Sequence, residues 1–234
     1  MRTYFPELTE ARSPAAGPSL AKIGGAPWGF PRERWPRCAT CGQAQRFLAQ
    51  FPGGEHLPRL GAEESVYIFK CENETICDFW DPQSGCNRVF LLKHNDLSTG
   101  YTQQPPVDYP DPEFGEYTVA SWRVFEDPIP ATREADFYDA EAFLALPEEL
   151  AVPHDFDTNQ STKFGGAPYW TGNGVPAEIA SDMRVLGQLN SWICTMEHPE
   201  DYVEIGNLCF DGIGYLYDQT PEASRPDLRF VISR

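Results

Sequence analysis

Residues 22–28 read KIGGAPW and residues 163–169 read KFGGAPY, so one turn-forming block occurs twice in the chain. Adjacent glycines allow positive φ and a close approach of the backbone. The proline fixes φ, and the aromatic residue after it can pack over the turn. We therefore expect the same structural turn at both places. The glycine spacing of a phosphate-binding loop is present in neither copy.

Two further blocks repeat downstream in the same order. Residues 47–51, FLAQF, are echoed by residues 185–189, VLGQL, and residues 66–69, VYIF, are matched more loosely by residues 214–217, GYLY. These blocks are rich in apolar and aromatic residues between turn formers, which indicates short strands. The ordered repetition predicts an α+β, β-dominated fold. We expect a duplicated unit, with two similar and mainly antiparallel sheet halves packed as one pseudo-symmetric domain.

The repeats suggest three segments within this domain. Residues 1–100 form the first repeat and carry a cysteine cluster, residues 101–160 form an acidic, Pro-rich connector, and residues 161–234 form the second repeat. Inside the connector, residues 117–125 are good strand formers. Residues 136–146 have a helical apolar pattern that Pro147 would end. The apolar face of that helix would consist of Phe137, Ala140, Phe143 and Leu144.

The charge balance points to the kind of partner. The chain has 35 acidic and 18 basic residues and a formal net charge of −17. Such a field repels phosphate backbones, so we expect no nucleic acid, and it attracts basic proteins. The alternative is that the acid excess only maintains solubility. Because acids concentrate in the connector, we expect its acids to receive a basic partner, at Asp108, Asp111, Glu113, Glu116, Glu126 and Asp127.

The sequence predicts a cytoplasmic protein that does not enter a membrane. It contains no apolar run of about 18 residues, the length of a spanning helix. The first residues, MRTYFPE, lack the apolar core of a signal peptide. In the cytoplasm the seven cysteines would stay reduced.

Five of these cysteines suggest a metal site. Cys38 and Cys41 form a Cys-x2-Cys pair followed by glycine, and pairs of this spacing commonly supply half of a zinc site. We predict that Cys71 and Cys77 supply the other half, with Cys86 as the alternate ligand. Two alternative interpretations of these cysteines remain. They could be buried free thiols, or Cys38 and Cys41 could be a redox pair, which would be expected at a helix N-terminus. A four-thiolate zinc site would be structural, because it leaves no open coordination position.

Recognisable catalytic motifs are missing from the sequence. The four histidines are scattered, and the chain has no Gly-x-Ser-x-Gly, phosphate loop or His-Glu-x-x-His. Asp78 and Asp81 could pair as acid and base, although residues of this composition more often form only a polar turn. Cys194 and Cys209 have no paired partner and read as core residues. We therefore predict no catalytic residues.

The doubled Lys-x-Gly-Gly-x-Pro-aromatic block, the Phe-Leu-x-Gln block and the Tyr-Leu-Tyr strand resemble the YwqG-like family, a bacterial domain of unknown function. The resemblance covers roughly residues 20 to 218. It implies a duplicated α+β protein dominated by antiparallel sheet.

The N-terminal half is also similar to programmed cell death protein 2 and its relatives, which act as chaperones for a basic ribosomal protein. The matching residues are Gly24, Gly25, Pro27, Cys38, Cys41, Gly42, Phe47, Leu48, Gln50, Phe69 and Cys71. The extra zinc-finger insert of some relatives is absent from this sequence, so the resemblance does not identify the protein that this chain would bind.

Together these features predict a non-enzymatic protein-binding module that shields a basic partner. The partner would be a ribosomal protein-like client or a cognate toxin, which corresponds to a client-specific chaperone or an immunity protein. One alternative is an enzyme, for instance a hydrolase with acids between the two repeats. The other is a scaffold protein.

Overall fold

The computed structural model describes residues 1–10, 17–110, 114–127, 129–147, 160–171, 175–176, 179–180, 182–206, 208 and 212–233. These residues are mainly β-strands joined by turns. The strands are β1 (Arg2–Thr9), β2 (Lys22–Gly24), β3 (Arg46–Pro52), β4 (Glu64–Lys70), β5 (Asn87–Lys93), β6 (Glu116–Glu126), β7 (Lys163–Gly165), β8 (Arg184–Asn190), β9 (Trp192–Ile193), β10 (Val203–Glu204), β11 (Ile213–Asp218) and β12 (Leu228–Ser233). The α-helix α1 is Ala140–Leu144, and 3₁₀ helices cover Arg32–Arg34, His94–Asp96 and Ala131–Tyr138.

Ten strands form one sheet in which every pairing is antiparallel. The order from one edge to the other is β12-β11-β8-β7-β1-β6-β2-β3-β4-β5, and β9 and β10 form a separate pair. The edge strands β5 and β12 also contact each other, so the sheet is nearly closed. The predicted β-dominated, antiparallel fold class is therefore confirmed.

Strand β4 is buried on both of its faces, which explains why its residues 66–69 are all apolar. Because side chains alternate along a strand, Val66 and Ile68 enter the central core, whereas Tyr67 and Phe69 enter an aromatic cluster with Phe30. Strand β11 alternates in the same way. Its Leu216 joins the central core, and Tyr215 and Tyr217 join a second outer cluster around Trp170.

Both Gly-Gly turns adopt positive φ, with Gly24 and Gly25 at 71° and 64° and Gly165 and Gly166 at 67° and 65°. At Gly24 a Cβ would lie 2.1 Å from the carbonyl oxygen of Gly115, so no side chain fits there. The predicted left-handed turns are confirmed.

Side chains at equivalent positions of the repeated blocks hold the two turns in place by hydrogen bonds. The amide of Gln50 accepts a hydrogen bond from the backbone N–H of Trp28 at 2.7 Å and donates to the carbonyl of Leu20 at 3.0 Å. The amide of Gln188 makes the same two bonds, to Tyr169 and Ser161, each at 2.9 Å. Further matches run from the hydroxyls of Tyr67 and Tyr215 to the carbonyls of Trp28 and Tyr169, and from the ammonium groups of Lys22 and Lys163 to the carbonyls of Ala26 and Ala167.

The expected connector contributes a strand to the middle of the sheet. The strand predicted over residues 117–125 is observed as β6, which pairs with β1 along its length and with β2 at its start. The helix predicted over residues 136–146 is wrong in extent. The chain forms a 3₁₀ helix up to Tyr138, Asp139 then caps α1, and α1 has only five residues.

The apolar face predicted for that helix is also wrong in two positions. Phe137 is buried and its ring contacts Phe143, but Ala140 is exposed and Leu144 is 79% exposed. The switch from 3₁₀ to α geometry at Asp139 breaks the single helical period on which the prediction relied.

Among the described residues, no helix is long and apolar enough to cross a membrane.

Candidate metal centre and binding groove

The first cysteine pair lies on a tight loop before β3. The backbone N–H of Cys38 donates to the carbonyl of Gln43, and the N–H of Gly42 donates back to the carbonyl of Cys38, each at 2.9 Å. Gly42 has a φ of 72°, which allows the chain to reverse directly after Cys41. This reversal turns both thiols toward the end of β4.

The second group of cysteines sits where β4 ends and β5 begins. Cys71 follows β4 directly, and its N–H donates to the carbonyl of Cys86 at 2.8 Å, next to the start of β5. Cys77 lies on the intervening turn, where its N–H donates to the carbonyl of Asn73 at 3.0 Å. The antiparallel β4–β5 pairing therefore brings three thiols from one connection to the first pair.

Cys38, Cys41, Cys71 and Cys77 have sulfur atoms that all lie within 4.8 Å of one another. Three of the contacts, between Cys38 and Cys77, Cys41 and Cys71, and Cys71 and Cys77, measure 3.6 Å. A disulfide bond of about 2 Å is excluded by these distances. A tetrahedron with Zn–S bonds of about 2.3 Å has edges of about 3.8 Å. The four thiols thus have the number, chemistry and spacing of a site that could hold a metal ion.

Cys86 is the fifth thiol of the cluster. Its sulfur lies 3.6 Å from that of Cys38 and 3.7 Å from the hydroxyl of Thr40, and the side chain is fully buried. It falls outside the set of four in which every sulfur is close to every other. The geometry therefore favours Cys77 over Cys86 as the fourth ligand.

The fold shifts the pKa values of the thiols in different directions. Burial raises the pKa of Cys71 to about 12 and also raises the pKa of Cys77 and Cys86. Burial acts in the same direction on Cys38, but hydrogen bonds from the backbone of Cys41 and Thr40, together with those to the thiols of Cys86 and Cys77, outweigh it and lower the pKa of Cys38 to about 7. A bound cation would compensate the thiolate charge, because coordinated thiols are deprotonated.

A buried ion pair borders the cluster. The ammonium of Lys70 donates to the carbonyl of Cys71 and to the carboxylate of Glu72, each at 3.1 Å, and lies 4.0 Å from the centre of the Phe79 ring. Gln45 donates to the carbonyls of Gly85 and Cys86 at 2.8 and 3.0 Å. These contacts fix the backbone around the thiols.

The residues predicted to receive a partner are not equivalent in the structure. Asp108 is exposed and accepts a hydrogen bond from Gln43, and Glu126 is exposed and pairs with Arg2 at 3.1 Å. Glu116 is half-buried and pairs with the buried ammonium of Lys22 at 2.5 Å. Two of the predicted residues, Asp111 and Glu113, lie outside the described residues.

Asp127, the remaining predicted residue, stands at the second Gly-Gly turn. Its carboxylate accepts hydrogen bonds from the backbone of Ile129 at 2.9 Å and of Ala167 at 3.1 Å. Burial lowers the pKa of the adjacent Lys163 to about 8, and the charge of Asp127 opposes that shift. Glu116 and Asp127 therefore fix turns within the fold, and Asp108 and Glu126 face solvent.

Other candidate residues from the sequence have local roles. The carboxylate of Asp78 accepts from the backbone of Trp80 and Asp81, and that of Asp81 accepts from the backbone of Gln83. This is the bonding of a polar turn. Cys194 was expected in the core, but it is partly exposed and lines a cavity. Cys209 lies outside the described residues.

That cavity, which we call the groove, has a volume of about 510 Å³ and opens between β1 and the β9–β10 pair. Its lining is Phe5, Pro6, Leu8, Arg123, Gln160, Ser161, Thr162, Asn190, Trp192, Ile193, Cys194 and Tyr202. No local sequence pattern indicates it, because the lining comes from five separate stretches of the chain. Its composition offers aromatic surface and hydrogen-bonding groups.

No family model matches the chain, and no curated protein matches it. Any function of the protein must therefore be inferred from its residues and their geometry.

Proposed function

We propose that the protein is a non-enzymatic binding module that shields a basic protein partner and carries one structural zinc ion. The zinc ligands would be Cys38, Cys41, Cys71 and Cys77. The chemistry of the donors supports this part of the proposal, since four thiols spaced like tetrahedral vertices suit zinc and leave no position for substrate. When bound, the ion would tie the loop before β3 to the β4–β5 connection. Reduced thiols fit a cytoplasmic location, which we also propose.

Elemental analysis of purified protein tests the zinc site. We expect about one zinc per chain after expression in zinc-replete medium, without the ion being added during purification. Less than about half an equivalent in a folded sample that no chelator has touched would contradict the proposal.

We further infer that the two halves descend from one duplicated unit, as the resemblance to the YwqG-like family implies. On one side of the central strands the sheet continues as β2-β3-β4-β5, and on the other side it continues as β7-β8-β11-β12. Each set of four strands is therefore placed in chain order from the centre of the sheet to its edge. The matched hydrogen bonds of Gln50 and Gln188 add side-chain support. A common ancestor explains both features, because the bonds involve the same positions of the repeated blocks.

The net charge of −17 is the observation that carries the binding proposal. A field of this size steers a basic protein toward the surface and disfavours nucleic acid. Asp108 and Glu126 are exposed, although they already contact Gln43 and Arg2, so a basic partner can reach both carboxylates. The similarity of the N-terminal half to chaperones of a basic ribosomal protein points the same way. A cognate toxin would be an equally basic partner.

Affinity capture from native lysate tests the binding proposal. We expect the tagged protein to retain one basic protein in stoichiometric amount at about 0.15 M salt, where non-specific charge contacts are screened. An unrelated protein of similar size and net charge is the control. Recovery of the same basic proteins by that control, or of none by this protein, would contradict the proposal.

A further inference from the structure

The lining of the groove contains residues of two kinds. Its apolar residues come mainly from β1 and β9 and include Phe5 and Ile193, which are buried, and Trp192, which is partly exposed. Its polar residues include residues 160–162, directly before β7, and Asn190 at the end of β8. A cavity of about 510 Å³ falls within the size range of small-molecule sites. Such a lining suits a small ligand that has both an apolar body and a polar group.

The charge of the lining differs from that of the chain as a whole. The protein has a net charge of −17, but none of the lining residues that the structure describes is an aspartate or a glutamate, and Arg123 is the one lysine or arginine among them. The acids Glu197, Glu200 and Asp201 are exposed and lie outside the lining, so solvent and salt screen their charges. The lining therefore favours an anionic ligand over a cationic one.

The guanidinium of Arg123 is available to such a ligand. The side chain is exposed and lies 4.8 Å from the centre of the Phe5 ring, and no carboxylate among the described residues lies within 4 Å of its nitrogen atoms. Glu7, on the same face of β1 as Phe5, accepts a hydrogen bond from the hydroxyl of Ser121 instead. A guanidinium stacked on a ring keeps the N–H donors at its edge free to bond. Two of these donors match the two oxygens of a carboxylate.

Aromatic rings and a hydroxyl offer the remaining contacts. Trp192 is partly exposed and Tyr202 is 59% exposed, so both present ring surface on which an aromatic ligand can pack. Thr162 is 5% exposed, and its hydroxyl accepts a hydrogen bond from the backbone N–H of Asn190 at 3.0 Å. A hydroxyl that accepts one hydrogen bond can still donate its own proton, here to a ligand oxygen.

From this arrangement we propose that the groove binds a small aromatic monocarboxylate. The carboxylate pairs with the guanidinium of Arg123, and the ring packs against Trp192 and Tyr202. Charge complementarity selects this occupant, because one arginine compensates one carboxylate, whereas a phosphate monoester carries nearly two negative charges and would keep part of its charge uncompensated. The inference goes beyond the proposed binding of a basic protein and does not depend on it.

Titrations followed by ligand-observed NMR with three matched probes test the proposal. The probes are 2-naphthylacetate, 2-naphthylacetamide and 2-naphthyl phosphate, which share one ring system and differ in the group attached to it. We expect the acid to bind about tenfold more tightly than the amide at about 0.15 M salt, and more tightly than the phosphate. Equal or tighter binding of the amide or the phosphate would contradict the carboxylate assignment. No detectable binding of the acid at about 5 mM would overturn the proposal.

Two pairs of protein variants locate the binding site. Arg123→Gln removes the guanidinium from the groove, and Arg225→Gln removes the same charge from an exposed arginine outside it. Tyr202→Ala removes an exposed ring from the groove, and Leu144→Ala shortens an exposed side chain elsewhere. We expect the acid to bind about tenfold more weakly to Arg123→Gln, about threefold more weakly to Tyr202→Ala, and within about twofold of the unmodified protein for each control. Losses in the controls equal to those in the groove variants would place the acid outside the groove.

The amide shows whether Arg123 acts on the carboxylate itself. If it does, Arg123→Gln binds the acid and the amide with equal affinity, and its affinity for the amide stays within about twofold of that of the unmodified protein. Equal losses for the acid and the amide would mean that Arg123 only maintains the shape of the groove, and would overturn the pairing. Arg123→Lys, which keeps the charge, serves if Arg123→Gln does not fold. We expect it to bind the acid about threefold more weakly and the amide as before, because lysine lacks the planar pair of donors. Unchanged binding of the acid by this variant would contradict the contact of two donors with the carboxylate.

Discussion

His56 lies with its ring centre 4.0 Å from that of Trp122 in a stacked arrangement, and the rings of Tyr4 and Phe164 contact it from other sides. It is 8% exposed, and none of these neighbours is charged. Burial therefore lowers the pKa of His56 to about 4, below the value of about 6.5 in an unfolded chain.

This environment predicts a loss of stability in mild acid. Between about pH 6.5 and pH 4 the unfolded chain binds a proton at His56 and the folded chain does not, so stability falls as the pH falls. We expect His56 to account for about 2 kcal/mol of unfolding free energy between pH 7 and pH 4.5, after allowance for solvent screening. Urea unfolding of the protein and of the His56→Phe variant at both pH values measures this difference. An identical pH dependence in the two proteins would show that His56 is not the responsible group.

Cys86 gives a second prediction at the residue scale. If the ligands are the four mutually close thiols, Cys86→Ala retains about one zinc per chain, whereas Cys71→Ala loses most of it because three thiolates bind more weakly. Elemental analysis after dialysis measures the difference, with Cys194→Ala as the control outside the cluster. Metal loss in Cys86→Ala as large as in Cys71→Ala would make Cys86 a ligand and displace Cys77.

At the scale of elements, the two Gly-Gly turns depend on glutamines from the neighbouring strands β3 and β8. Gln50→Leu would leave the N–H of Trp28 and the carbonyl of Leu20 without this partner, and Gln188→Leu would do the same at Tyr169 and Ser161. Each unpaired buried group costs about 1–3 kcal/mol. We expect each variant to lose roughly 2–4 kcal/mol of unfolding free energy.

Urea unfolding of both variants measures these losses, and Gln103→Leu, at an exposed position, is the control. A large loss in one variant with little in the other would show that the two turns are not stabilised in the same way, in spite of their matched bonds.

The elements also show how much the sequence could predict. The Gly-Gly turns and β6 followed from local patterns, because turn chemistry and strand propensity act over a few residues. The clustering of Cys38, Cys41, Cys71 and Cys77 followed from the residue type and the Cys-x2-Cys spacing, because such pairs commonly combine with two further thiols in a zinc site. The 3₁₀ segment before Asp139 and the exposure of Leu144 did not, since helical periodicity does not distinguish the two helix types. The groove was equally hidden, because its lining comes from β1, β6 and the separate strand β9, which lie far apart in the sequence.

At the scale of the whole molecule, β6 links the two Gly-Gly turns. Its first residue, Glu116, pairs with Lys22 at one Gly-Gly turn, and Asp127, directly after its last residue, bonds to Ala167 at the other. Two acids that the sequence suggested for partner binding thus have internal contacts. The strands β1 and β6 form the centre of the sheet, and its outer edges, β5 and β12, meet on the far side.

The four thiols that could hold a metal ion lie on one side of this sheet, so removal of a bound ion should affect the strands unevenly. The four thiols connect the loop before β3 to the β4–β5 connection, and none comes from β7, β8 or β11. Chelation would remove a bound ion, whose attraction offsets the repulsion among the closely packed thiolates. We expect amide hydrogen exchange to accelerate in β3, β4 and β5, and in β12 because it contacts β5.

Exchange in β7, β8 and β11 should change much less, because local opening follows contiguous packed units. Mass spectrometry of peptides from the protein before and after chelation measures both groups of strands, and the Cys71→Ala variant should reproduce the chelated pattern without chelator. A uniform acceleration through all strands would mean that the sheet opens as a single cooperative unit, which would contradict separable halves. Unchanged exchange in β3–β5 after the metal has been removed would show instead that the core packing around Val66 and Ile68 suffices to hold the cysteine loops.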